Sequence, residues 1–235
     1  MIEQLKKEMQ QAANKDRARI SRRFFKTGPG EYGEGDVFLG LTVPQLRALC
    51  KKYTLLSLTD VVLLLQDKIH EFRSAALMIL VAQYAKGDVK KKKEIVAFYL
   101  ENARHINNWD LVDGSAPYIL GEYLIDKDKS ILSTLVQSKN LWERRIGIVA
   151  TYAFIKRGEL EETLLVAELL LKDEHDLIHK AVGWMLREVG KKDQLVLEVF
   201  LKRHAWHMPR TMVRYAIERF DPERRKVYLA MRVPV

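Results

Sequence analysis

Residues 109–113, Trp-Asp-Leu-Val-Asp, combine side chains that could act on a positively charged substrate. Trp109 and Asp113 are spaced four apart, so a helix would place the indole ring and the carboxylate on one face. A carboxylate stabilises an oxocarbenium-like transition state, as in glycosidic-bond cleavage, and can orient the attacking water. An indole face attracts a cation. The alternative is that Trp109 packs in the core and Asp113 caps or bonds a neighbouring helix, and the two residues alone favour this alternative.

Other reactive residue types give weaker patterns. Asp110 lies on another face of the same segment, which indicates a structural role. His175 and His179 have the spacing of a metal-binding pair but lack a third ligand in sequence, so we predict no metal site and interpret both as surface or packing residues. Cys50 lies in an apolar helical pattern without a placed histidine partner, which predicts a core position.

The elements that must position these residues are all helical, because apolar residues recur at helical spacing with almost no period-two alternation. Thr42 and Gln45 form a predicted capping box around Pro44, and Asp221 precedes another helix start. Residues 26–40 are rich in glycine and predict a loop. Further helix boundaries are predicted near Gly87, Gly121, Asn140, Gly158, His175, Gly190 and Pro209.

Three segments share one pattern, in which a basic residue is followed three positions later by a small residue and then by a large apolar one. They are residues 71–77, 142–148 and 178–184, with 208–214 as a looser copy and 107–110 in the slot of another. The spacing is a multiple of about 35 residues, which is typical of a HEAT-like solenoid with two helices per repeat. The small residues Ala76, Gly147 and Gly183 are expected to let neighbouring helices approach closely.

The basic positions of this pattern would form a ladder of cations along a concave face, with Asn108 as its polar member. A regular ladder matches the phosphates of a duplex, and the net charge of +9 agrees with a polyanionic partner. The alternative is that these cations form salt bridges within the repeats. A carboxylate such as Asp113 on this cationic face would repel phosphate, so its presence favours a role in cleaving the glycosidic bond. The ladder residues are Arg73, Arg144, Lys180 and Arg210.

Composition sets the broad class. The chain has 235 residues, of which 48% are hydrophobic and 30% charged, as in a soluble globular protein. No stretch is long and apolar enough for a membrane helix, and no signal peptide is evident. A single cysteine suits a reducing cytoplasm. We expect one domain over residues 1–235, a monomer and a cytoplasmic location.

Five segments carry a resemblance to a known family. They are residues 38–47, 108–113, 141–146, 180–188 and 208–212, and the most specific are Trp-Asp-Leu-Val-Asp at 109–113 and Gly-Trp-Met-Leu-Arg-Glu at 183–188. With these segments the chain resembles the AlkD-like DNA alkylation-repair glycosylases over essentially its whole length. The resemblance implies HEAT-like repeats whose concave face holds duplex DNA, and base excision of N3- or N7-alkylated purines such as 3-methyladenine and 7-methylguanine without metal or cofactor.

The resemblance also implies roles for single residues. It makes Asp113 the catalytic carboxylate, Trp109 and Trp184 the aromatic pair at the lesion, and Arg145 a DNA-binding arginine. The repeat pattern selects the adjacent Arg144 instead, and the two cannot face the same groove wall. Phe24 stands where related proteins can present a tyrosine to the lesion, which removes one polar contact.

Members of this family are thought to grip the backbone around the lesion without extruding the base, unlike most glycosylases. That mode suits cationic purines, whose glycosidic bond is already weakened. A non-catalytic helical-repeat module that binds DNA or protein is the alternative. Asp113 together with both tryptophans favours the enzyme.

Overall fold

The computed structural model describes residues 1–231, and within that range it contains helices and loops but no β-strand. This confirms the predicted all-α class. The chain divides into two compact units, Met1–Ser115 and Ala116–Val235. The single domain and the concave DNA-binding face expected from the sequence stay predictions.

The first unit contains seven α-helices, and a short 3-10 turn follows each of α3 and α6. The helices are α1 (Ile2–Gln11), α2 (Lys15–Phe24), α3 (Val43–Cys50), α4 (Leu58–Leu65), α5 (His70–Lys86), α6 (Val89–Glu101) and α7 (Trp109–Asp113). α5 packs against α3, α4, α6 and α7, and α3 also packs against α1.

The glycine-rich segment between α2 and α3 is the predicted loop, and its later part is held against the start of α5. Val37 and Ile69 form an isolated parallel bridge. The buried carboxylate of Glu71 accepts hydrogen bonds from the backbone N–H groups of Leu39, Gly40 and Leu41 at 2.9, 2.7 and 3.3 Å. This segment is therefore a fixed part of the first unit.

The second unit begins with a π-helical turn, Pro117–Gly121, and up to residue 231 it continues through nine α-helices. They are α8 (Glu122–Leu124), α9 (Ser130–Val136), α10 (Leu141–Ala150), α11 (Tyr152–Arg157), α12 (Glu161–Leu169), α13 (Asp176–Lys192), α14 (Gln194–His204), α15 (Arg210–Ala216) and α16 (Pro222–Ala230).

The helices that carry the repeated pattern lie side by side in the second unit, where α10 packs on α13 and α13 packs on α15. Gly183 lets α15 lie close to α13, since a Cβ atom at this position would be 2.5 Å from Cβ of Tyr215 and 2.6 Å from the carbonyl oxygen of Met212. The predicted packing role of Gly147 is confirmed in the same way, with Cγ1 of Val136 at 2.6 Å from such an atom.

Four of the predicted helix boundaries are confirmed by capping contacts. The capping box of Thr42 and Gln45 is present, and the side chains of Asn140, His175 and Asp221 cap α10, α13 and α16. α13 ends at Lys192, close to the boundary predicted near Gly190, and at Gly121 the π-helical turn passes directly into α8. A Cβ atom at Gly190 would lie 2.4 Å from Cδ2 of Leu197, so this glycine lets α14 approach α13.

Cys50 is buried in the core, as predicted, and burial raises the pKa of its thiol to about 12. Among residues 1–231, none of the helices has the length and apolar character needed to cross a membrane.

Candidate functional site

The short helix α7 carries both candidate residues of the first unit. Trp109 begins the helix and Asp113 ends it, so their predicted i, i+4 relationship is confirmed. Asn108 caps the helix, because its side-chain oxygen accepts the backbone N–H of Trp109 at 2.8 Å. Both Trp109 and Asp113 are partly exposed to solvent.

Asn108 does not form the polar member of an exposed cation ladder. Its side chain is fully buried, and its Nδ2 atom lies 3.4 Å from Oδ2 of Asp36. The expectation of an exposed amide is therefore corrected, and Asn108 instead joins α7 to the loop that follows α2.

Two phenylalanine rings contact Trp109 in the first unit. Phe25 stacks on Trp109 with ring centroids 5.4 Å apart and on Phe38 at 5.1 Å. Phe24 meets the indole edge-on at 5.7 Å and is 62% exposed. The structure thus brings together Phe24 and Trp109, two residues singled out from the sequence, and leaves part of this aromatic cluster open to solvent.

Below this aromatic cluster, His70 lies between two carboxylates. Its Nδ1 atom is 3.3 Å from Oδ2 of Asp36, and its Nε2 atom is 2.8 Å from Oδ2 of Asp110. Asp110 belongs to α7, Asp36 to the loop and His70 to the first turn of α5. The three side chains therefore tie three elements together, in agreement with the structural role predicted for Asp110.

The network is stabilised because His70 is positively charged between two carboxylates. Burial lowers the pKa of His70, but hydrogen bonds to Asp110 and Asp36 outweigh it and raise the pKa to about 9. Burial also raises the pKa of Asp36, yet the hydrogen bond from His70 and the charge of Arg73 hold it below its usual value. At neutral pH, His70 is therefore an imidazolium that donates from both ring nitrogens.

Arg73 completes this network, and its predicted place on an exposed cationic surface is corrected. Its side chain is 4% exposed, and its Nη2 atom is 2.7 Å from Oδ1 of Asp36. A second nitrogen, Nη1, donates to the carbonyl oxygen of Asp67 at 3.0 Å. The guanidinium is bound inside the first unit, as the salt-bridge alternative requires.

The second unit places Trp184 on α13, where it is partly exposed. Its ring centroid lies 5.9 Å from that of Tyr152, at an interplanar angle of 36°. The ammonium nitrogen of Lys156 lies over the Tyr152 ring at 5.7 Å from its centroid. Trp184 therefore presents an indole beside a second aromatic ring, and that second ring has a cation over it.

The remaining ladder cations make contacts within the second unit. Arg144 binds Asp173 with its Nε atom at 2.6 Å, and Lys180 pairs with Asp176 at 2.6 Å. Arg210 donates to the backbone carbonyl groups of Tyr228, Leu229 and Met231. These three cations therefore bind groups of their own unit, as the salt-bridge alternative predicts.

Arg145 differs from its neighbour Arg144 in burial. It is 5% exposed, and its Nη1 atom donates to the carbonyl oxygen of Leu177 at 2.6 Å. Arg144 also has its Nη1 atom at 3.0 Å from the carbonyl oxygen of Ser138. The two arginines thus bind different parts of the second unit, as expected for adjacent positions on a helix.

Sequence reasoning missed several residues of these clusters. His70 immediately precedes a copy of the repeat pattern, but its partners are 34 and 40 residues away, and no local spacing indicates them. Phe25 could have been suspected from its position beside Phe24. Tyr152 lies in an ordinary apolar helix pattern and gives no sequence signal.

Comparisons with known proteins agree with the motifs. The family model for DNA alkylation repair enzymes matches residues 5–220. A solved structure described as a predicted DNA alkylation repair enzyme from Enterococcus faecalis superposes with a TM-score of 0.68, at 17% identity, over 89% of this chain and 97% of that one. This likeness shows a shared fold. No curated protein sequence matches the chain significantly.

Proposed function

The chain belongs to the DNA alkylation repair enzyme family, and we propose that it is a monofunctional DNA glycosylase. Its substrate would be duplex DNA that contains cationic N3- or N7-alkylated purines. Hydrolysis of the N-glycosidic bond would start base excision repair and would need no metal or cofactor.

The observation that supports this proposal is the way α7 holds two partly exposed reactive groups. A carboxylate and an indole ring, Asp113 and Trp109, are both partly exposed on a helix of five residues. That helix is held in place by the hydrogen bonds of Asn108 to Asp36 and of Asp110 to His70. Rigid support of partly exposed reactive groups is what an active site requires, because catalysis depends on groups held in position before the reaction.

The proposed reaction follows from the charge of the substrate. The C1′–N bond of an alkylated purine breaks, and its electron pair neutralises the positive charge of the departing base. The anion of Asp113 stabilises the oxocarbenium-like sugar and orients a water molecule, whose oxygen bonds to C1′ while a proton passes to the carboxylate. Trp109 and Trp184 attract the cationic substrate through their ring faces.

Trp184 and Lys180 are proposed to contact the DNA backbone near the lesion. Both lie on α13 and both are partly exposed. Arg145 and Arg73 are not part of this proposal, because Arg145 is buried and Arg73 is bound to Asp36.

The decisive experiment measures free base released from methylated duplex DNA by wild-type protein and by the Asp113→Asn variant, which keeps the side-chain shape and removes its charge. We expect release to fall by about 100-fold or more. Asp126→Asn, at an exposed position of the second unit, is the matched control and should retain wild-type release.

Two outcomes contradict the proposal in different ways. Equal release by wild type and Asp113→Asn removes the catalytic role of Asp113. Absence of release by folded wild-type protein that still binds DNA identifies a non-catalytic binding module.

A further inference from the structure

Helix α2 lies at the surface of the first unit and has an unusual composition. Of its ten residues, Ala18 is the buried one. Packing of an apolar face usually supplies most of the stability of a helix, so burial does not account for this sequence. One residue is acidic, Asp16, and five are basic: Lys15, Arg17, Arg19, Arg22 and Arg23.

Three of these cations form a row. Lys15, Arg19 and Arg22 are spaced four and three residues apart, which places them on one side of α2, and they line one surface cleft with Phe38 and Leu39. At about 1.5 Å per residue the row is about 10 Å long. One strand of a duplex presents a phosphate about every 3.4 Å along its axis, so the row matches about three phosphates.

The cations of α2 are more exposed to solvent, and so freer to bind a phosphate, than the arginines of the predicted ladder. Arg73 and Arg144 bind carboxylates in pairs whose side chains are 17% exposed at most. Within residues 1–231, the ion pair on α2 is that of Arg19 with Asp16, and its side chains are 78% and 86% exposed. Solvent-exposed pairs of this kind contribute little and are easily replaced by a phosphate.

The position of α2 connects this row to the proposed active site. The helix ends at Phe24, whose ring contacts Trp109 at 5.7 Å, and the next residue, Phe25, stacks on the same indole. Arg22 and Arg23 lie in the last helical turn before this contact. A DNA strand held by the row would therefore continue towards Trp109.

We propose that α2 binds the phosphate backbone of duplex DNA through Lys15, Arg19 and Arg22 and guides it to α7. The inference rests on the proposed function for the nature of the polyanion. A basic helix with exposed Ile20 and Phe24 also has the character of a helix that lies on an anionic lipid surface. The contact between Phe24 and Trp109 favours DNA.

The test is the salt dependence of binding to an unmodified duplex, compared among three full-length proteins. These are wild type, the variant Lys15→Gln/Arg19→Gln/Arg22→Gln, and the control Lys86→Gln/Lys90→Gln/Lys93→Gln. The control removes the same charge from exposed lysines around the start of α6. Each lost phosphate contact lowers the slope of log affinity against log salt by about 0.9.

We expect the α2 variant to reduce this slope by about 2 to 3, while the control keeps the wild-type slope. The charge-retaining variant Arg19→Lys/Arg22→Lys should also keep it, which separates charge from misfolding. Equal slopes for the α2 variant and wild type, or an equal reduction in the lysine control, overturn the inference. The inference is also overturned if the α2 variant loses binding to vesicles that contain phosphatidylserine but keeps wild-type binding to DNA.

Because the duplex is unmodified, the result is independent of base excision. A protein that releases no base yet shows the α2-dependent slope refutes the glycosylase proposal and keeps this one.

Discussion

His70 and Asp110 form a hydrogen bond of 2.8 Å between Nε2 and Oδ2, although they are 40 residues apart in the chain. The contact joins the first turn of α5 to the helix that carries Asp113. It therefore couples the stability of the first unit to the position of the proposed catalytic carboxylate.

The charge of His70 predicts a pH-dependent stability. Its pKa is raised from 6.5 to about 9 in the folded state, so its stabilising effect is complete below pH 6.5 and is lost as the pH rises through 9. A shift of this size corresponds to about 3 kcal/mol. We expect the difference in unfolding free energy between wild type and His70→Gln, measured in urea, to shrink between pH 6.5 and 9.

The Asp110→Asn variant serves as a control for the source of this shift. Because it removes one of the two carboxylate partners, the pH dependence should weaken in it. A constant difference between wild type and His70→Gln from pH 6 to pH 10 would show that folding does not raise the pKa of His70.

The buried pair of Arg73 and Asp36 predicts a large stability effect. Replacing Arg73 with methionine keeps much of its volume but leaves the Asp36 carboxylate buried, with side-chain exposures of 4% and 8% in the pair. Because the His70 imidazolium still binds Asp36, we expect a loss at the lower end of the range for a broken buried pair, about 3 kcal/mol, in chemical denaturation. Arg19→Gln, which removes an exposed pair in the same unit, should change stability by less than about 1 kcal/mol. Similar losses in both variants would contradict the assignment.

The sequence predicted the all-α class, the repeat helices and the short segment with Trp109 and Asp113, because these depend on local spacing and capping. It misplaced Arg73 and Asn108, which were expected at an exposed surface. Their burial depends on Asp36, a loop residue whose approach to α5 is fixed by tertiary contacts with Glu71 and His70. A repeat pattern identifies which positions are equivalent but not which partner each side chain meets.

Replacing the two carboxylates of α7 should have different effects, one on stability and the other on base release. Asp110 binds buried His70, whereas Asp113 is partly exposed at the other end of the helix. We expect Asp110→Asn to lower the midpoint of thermal unfolding by several degrees, since it weakens a charged hydrogen bond to a buried histidine. Asp113→Asn should change base release far more than it changes the unfolding midpoint. Calorimetry and base release on the same samples test this, and a reversed pattern would exchange the two roles.

Trp184 allows a test of the proposed preference for cationic lesions. Its ring stands beside Tyr152 on a partly exposed surface, so leucine at this position removes the aromatic face while keeping an apolar side chain. A cation–π contact of about 0.5–2 kcal/mol corresponds to a loss of about 2- to 30-fold in release of 7-methylguanine. Trp184→Phe keeps an aromatic face and should lose less. Release of a neutral lesion such as hypoxanthine should be slow in wild type, because no charge weakens its glycosidic bond, and Trp184→Leu should change it little. If both lesions lose the same factor in Trp184→Leu, the ring acts through packing, and the attraction between indole and cation is not part of the reaction.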